Sequence, residues 1–151
     1  MKLYVESSVI NFAFAADDLN RVNITKRFFE VDLKKNEPFI SELVLEEIEK
    51  TPGPKREKMS NFVLSHGFRV LPNSEVAEKL ASKYIEAGLI PERYLNDAIH
   101  IALASVNKIE VLVSWNMEHI VKLKTIVGVN KINKQEGYAN ILINTPEEVS
   151  E

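Results

Sequence analysis

Four stretches of the chain put polar groups where an apolar element should continue. The run KLYV ends in Glu6-Ser7-Ser8. In SELVLEEIEK (41–50), at about 100° per residue, Glu46 and Glu49 fall within roughly 40° of Glu42. Glu47 instead falls at roughly 140°, between Leu43 and Val44, on the inward arc shared with Leu45 and Ile48. In YLNDAIHIALASV, apolar residues cover nearly every face, and Asn96, Asp97 and His100 form one polar stripe at three- and four-residue spacing. The run VLV (111–113) ends in Ser114-Trp115-Asn116.

Each stretch has an ordinary explanation. Ser7, Ser8, Ser114 or Asn116 caps a helix, with Glu6 solvated near a helix N-terminus. Glu47 reaches water from the core's edge or pairs with a Lys. His100 is a buried hydrogen-bonding histidine rather than a metal ligand, and Trp115 packs. Taken together, the stretches suggest more. If the ends of their elements adjoin, Glu6, Glu47, Asp97 and Asn116 share one pocket. Carboxylates so gathered raise each other's pKa unless a counter-charge is present. Oxygen donors, with no cysteine and no compact His cluster, suit Mg²⁺ or Mn²⁺ rather than zinc. Such an ion polarises phosphoryl oxygens and acidifies bound water, which suits phosphodiester hydrolysis.

The elements that must position these groups alternate between strand and helix. KLYV, PFI (38–40), FRVL (68–71), VLV and ILI (141–143) read as short apolar strands. Helical patterns run through SSVINFAFAA, NRVNITKRFFEVDLKK, SELVLEEIEK, KREKMSNFVLSHG, EVAEKLASKYIEAG, ERYLNDAIHIALASVNK and VKLKTIVGVNKINKQEG. TPGP (51–54) breaks one pair of helices. This alternation predicts a three-layer α/β fold, a mostly parallel central sheet flanked by helices. In such sheets, ligands sit at the carboxyl ends of the strands, near the switch in strand order.

At 151 residues the chain is expected to form one domain, with its core over about 2–149. No apolar run spans a membrane, and the start MKLYVES lacks the pattern of a signal peptide, so a cytoplasmic protein is expected. The net charge of −3 gives no global pull on nucleic acid, so an enzyme acting there needs a metal or a local basic patch. Lys122, Lys124, Lys131 and Lys134 form one candidate patch. Lys55, Arg56 and Lys58 form another, better read as a solvated helix face.

The set YVESSVIN, ISELVLEEI, LNDAIHIALA and LVSWNMEHIV, in this order on this framework, resembles the PIN-domain family, especially toxins of VapC type. The similarity runs from Lys2 to about Val149. The resemblance implies a PIN fold, metal-dependent endoribonuclease activity on an RNA substrate, frequent homodimers and inhibition by a cognate antitoxin. It implies Glu6, Glu47 and Asp97 as the metal-holding acids. Ser8 would be the hydroxyl that orients a ligand or a metal-bound water, and Asn116 the fourth polar position. Glu6 stands where Asp is commoner, which adds one methylene of reach. Asn116 is neutral where Asp is frequent, so the site loses a charge, which Glu118 would offset only if it turned the same way. An alternative is a catalytically weakened module that binds antitoxin or RNA without cleavage, with Phe12, Phe14, Phe28 and Phe29 forming a partner groove or simply packing. A phosphoacceptor domain of receiver type needs a strand ending in Asp, and none does.

Overall fold

The computed structural model describes residues 1–150; Glu151, the last residue of the expected domain span, lies outside them. Five strands form one sheet: β1 (Lys2–Val5), β2 (Glu37–Ser41), β3 (Arg69–Leu71), β4 (Val111–Val113) and β5 (Leu142–Asn144). Their order is β3-β2-β1-β4-β5, and every neighbouring pair is parallel. Sheets of this kind are covered on both faces, which is why Leu3–Val5 and VLV are apolar throughout rather than alternating. Leu3, Tyr4, Val5, Leu112 and Val113 are fully buried.

Eight α-helices flank the sheet among the described residues: α1 (Ser7–Phe12), α2 (Leu19–Arg27), α3 (Glu42–Glu49), α4 (Pro54–Ser65), α5 (Glu75–Glu86), α6 (Leu95–Val106), α7 (Leu123–Gln135) and α8 (Pro146–Val149). The expected long first helix stops at Phe12. The expected second helix is α2 followed by a π-turn at Phe28–Asp32 and a 3₁₀ turn at Leu33–Lys35. That change of hydrogen-bond register seats Phe28 and Phe29 in the core, so neither is available to a partner groove; Phe12 and Phe14 are partly buried and pack against it. The last strand lies one residue later than ILI.

Along α3, Glu42, Glu46 and Glu49 are exposed and Glu47 is half-buried, as the periodicity predicts. Leu45 departs from the expected inward arc and is 38% exposed. α6 is buried from Ala98 through Ser105. It packs with α5, which in turn packs on α7, and a polar network lies buried among the three helices. Tyr84 donates to Asn133 Oδ1 at 2.5 Å, and Asn133 Nδ2 donates to Ser105 Oγ at 2.9 Å.

Burial pushes the Tyr84 phenol well above its ordinary value, against its hydrogen bonds with Ser105 and Asn133, which lower it. Burial does the same to Tyr4. A phenol whose folded pKa is raised keeps its proton while the unfolded chain loses it, so stability falls above pH ~10 by about 1.4 kcal/mol per pH unit for each group. Tyr4 and Tyr84 are therefore expected to ionise only as the chain unfolds. Reaching the phenolate absorbance of all four tyrosines while the helical circular dichroism is intact would contradict this.

Candidate active site

Strand order reverses between β1 and β4, and the two strands end side by side. Glu6 N donates to Val113 O, and Ser114 N to Asn144 O, both at 3.0 Å. This is the crevice where open parallel sheets place their ligands. Glu6 stands at its centre, 4% exposed. Its side chain caps α1, accepting from Ser8 N at 3.0 Å. Its Oε1 also accepts from Ser8 Oγ and Ser114 Oγ, each at 2.6 Å. The expected serine cap is thus inverted: the carboxylate caps the helix, and the serines hold the carboxylate. Both hydroxyls are in turn pinned by the loop after β4, because Trp115 N donates to Ser8 Oγ and Asn116 N to Ser114 Oγ, each at 2.9 Å.

Ser114 is fully buried. Ser114→Ala removes one donor from Glu6 and the acceptor of the Asn116 amide. It is expected to cost ~1–3 kcal/mol of stability, the scale of a buried polar group left unpaired. A urea midpoint equal to that of the wild type would refute this.

Glu47 projects toward the same crevice from α3. Its Oε1 accepts from Ser7 Oγ at 2.6 Å and from His100 Nε2 at 2.5 Å. Burial, the largest influence on Glu47, opposes its charge; the hydrogen bond and field of His100, with Ser7 and Lys50, outweigh it and leave the pKa below the usual carboxylate range. Burial likewise opposes charge on His100, and Glu47, Glu6 and Asp97 together reverse this and raise its pKa. His100 is therefore the buried hydrogen-bonding residue of the ordinary explanation, and Glu47 is its partner.

Asp97 lies on the α6 wall, its side chain 17% exposed. Its Oδ2 meets His119 Nδ1 at 3.1 Å. Burial raises its pKa first and the charge of Glu6 raises it further; Asn116, His100 and His119 lower it incompletely, and the balance is upward. Asn116 Oδ1 accepts from His119 N at 3.0 Å, which ties Asn116 and His119 into one turn beside Asp97. Asn96, the third member of the polar stripe, is exposed and stands apart. Glu118 sits in a turn rather than on a helix, with its side chain 82% exposed and 3.8 Å from His119 Nε2. It does not stand in for an acid at position 116.

Glu6, Glu47, Asp97, Asn116 and Ser8 thus border one crevice, linked through serines and histidines. Sequence reasoning missed His119 as the partner of Asp97, and Tyr4, itself tied to Ser41, as the partner of His100. No group of three His, Asp or Glu side chains among the described residues stands at metal-binding spacing. The donor chemistry still suits a hard cation. Glu47 Oε2 has no hydrogen-bond partner, while no buried side-chain oxygen or nitrogen among the described residues lacks one, so this oxygen is open to solvent; the Asp97 carboxyl, between His119 and Asn116, is 17% exposed. Mg²⁺ keeps several of its waters and can bridge carboxylates through them.

Two clefts flank the crevice. One of about 240 Å³ is lined by Ser7, Ser8, Asn11 and Glu47 among others. The other, of about 510 Å³, includes His119, Lys122 and Lys124, with Glu92 and Glu118 on its rim. Lys131 and Lys134 are exposed on α7, while Lys55 is half-buried beside the exposed Arg56 and Lys58.

No family model and no curated protein matches the chain in sequence. Solved structures do resemble it. VapC20 of Mycobacterium tuberculosis, a sarcin–ricin loop cleaving toxin, has a TM-score of 0.58 at 15% identity, over 92% of this chain and 98% of that one. A chain of VapBC2 from Rickettsia felis, solved bound to a DNA fragment from its promoter, has a TM-score of 0.56 at 17% identity, over 96% of this chain and 98% of that one. The fold is that of a VapC-type PIN domain. The crevice of this fold lies where β1 and β4 part, bordered by Glu6, Ser8, Glu47, Asp97 and Asn116.

Proposed function

We propose that this PIN domain is a metal-dependent endoribonuclease that hydrolyses RNA phosphodiester bonds as the toxin of a toxin–antitoxin pair. The reading is carried by carboxylates from positions 6, 47 and 97 standing around one switch-point crevice, in a fold shared with a sarcin–ricin loop cleaving toxin. A cognate antitoxin, a homodimer and a cytoplasmic location belong to the same proposal. The likeness to VapBC2 supports the first of these. No helix among the described residues is long and apolar enough to cross a membrane.

Glu6, Glu47 and Asp97 would hold Mg²⁺ or Mn²⁺, directly or through water. Such an ion, when bound, acidifies its water and stabilises charge on the phosphate. Ser8 and Ser114 keep the Glu6 carboxylate facing the crevice. Asn116 orients the turn beside Asp97 and borders the place of the scissile phosphate. Lys122 and Lys124 attract the flanking backbone phosphates. RNA is expected to be cut with Mn²⁺ and left intact with chelator. Equal rates in both would refute the proposal.

A second reading has its own support. Asn116 is neutral, and Glu47 is already paired with His100. On that reading the domain binds antitoxin or RNA without cleavage. It predicts no Mn²⁺ binding at millimolar concentration, with partner binding intact.

A further inference from the structure

His100 is fully buried in the middle of α6, yet both ring nitrogens are engaged. Nε2 meets Glu47 Oε1 at 2.5 Å. Nδ1 meets the Tyr4 hydroxyl at 2.6 Å, and that hydroxyl meets Ser41 Oγ at 2.7 Å. Ser41 is the N-cap of α3, accepting from Val44 N at 3.3 Å. The chain of hydrogen bonds therefore leaves α3 at its cap, crosses β1 and α6, and returns to α3 at Glu47. A carboxylate only accepts, so Nε2–H is the donor at that end whatever the charge on the ring. The Tyr4 contact at the opposite nitrogen fixes the plane of the imidazole.

This circuit commits one oxygen of Glu47, shared with Ser7, and leaves Oε2 open to solvent. Glu is among the side chains that lose most rotamer freedom when immobilised. A carboxylate already held in place binds an ion without paying that cost on binding.

We infer that Tyr4 and His100 are positioning residues for Glu47, holding one of its oxygens through a closed Ser41–Tyr4–His100 circuit so that the other is presented to a divalent cation in the crevice. This role rests on the metal-site reading above. A histidine usually reaches a metal as a ligand, with a carboxylate behind it; here the order is reversed, and the histidine stands behind the carboxylate.

The test is Mn²⁺ affinity of the whole chain at one fixed pH, read by calorimetry or electron paramagnetic resonance, without RNA. His100→Leu is expected to weaken Mn²⁺ binding by about 10–100-fold, the usual scale for losing a partner behind a ligand. His100→Gln, which keeps an N–H donor near the position of Nε2, is expected to recover part of it. Tyr4→Phe is expected to weaken binding in the same direction by less, and it decides the matter if His100→Leu does not fold. A lowered melting temperature with unchanged Mn²⁺ affinity in the folded variants would overturn the inference and leave the metal site standing. Failure of the wild type to bind Mn²⁺ would overturn both.

Discussion

Asp97→Asn is expected to lower RNA cleavage by roughly two to three orders of magnitude, the scale of removing one electrostatic stabiliser from an active site. The same change is expected to leave the fold as stable as before, or more so, at neutral pH. Both expectations come from one feature. Burial and the nearby charge of Glu6 hold the Asp97 pKa above its ordinary value. A carboxyl with a raised folded pKa keeps its proton in the folded chain while the unfolded chain loses it. Stability therefore falls as pH rises from the ordinary carboxylate value through the folded one, and the deficit persists at neutral pH. Asn has nearly the same shape and no charge to bury. The stability gain should be absent below the ordinary carboxylate range and present at neutral pH, which thermal melts at two pH values would measure. A variant that loses activity and also melts lower at neutral pH would mean that Asp97 is structural.

Leu112→Ala is expected to lose about 2–5 kcal/mol, the range for truncating a large aliphatic side chain in a packed core. Leu112 is fully buried in β4, in register with Tyr4 on one side and Ile143 on the other. Domains of this size have only about 5–15 kcal/mol in total, so the loss would be a large part of it. Leu123→Ala, 77% exposed at the start of α7, should change stability by less than ~0.5 kcal/mol. The pair is best compared by urea midpoints with unchanged slope. Leu112 lies two residues before Ser114, so any shift of β4 also moves a donor to Glu6. Cleavage by Leu112→Ala is expected to fall further than its unfolded fraction accounts for.

Strand identity and the inward turn of Glu47 were readable because burial imposes a period on the sequence, and a charge that breaks the period stands out. Asp97 and His100 were readable for the same reason, as polar exceptions on a greasy helix. The polarity of the cap at Glu6 was not. Ser7, Ser8 and a carboxylate satisfy the rules for capping in several combinations, and the choice depends on where Ser114 arrives from far along the chain. The circuit through Tyr4 was hidden because a tyrosine in a buried strand looks like one more large apolar residue until the helix opposite its hydroxyl is known. His119 was hidden because residues 116–122 turn irregularly, with no period to read, and the expected helix begins only at Leu123. The π-turn at Phe28–Asp32 is a change of backbone register that side-chain spacing does not reveal.

The middle position of β1 has a consequence for the order of events during synthesis. β1 has a long wait for one of its neighbours, since β4 lies more than a hundred residues downstream. Until Ser114 and the loop after it are available, Glu6 lacks one of its two hydroxyl donors and its serine cradle is unpinned. Glu6 and Glu47 are therefore made long before Ser114, the serine that completes the Glu6 cradle, whereas Asp97 precedes it by only one short stretch of chain.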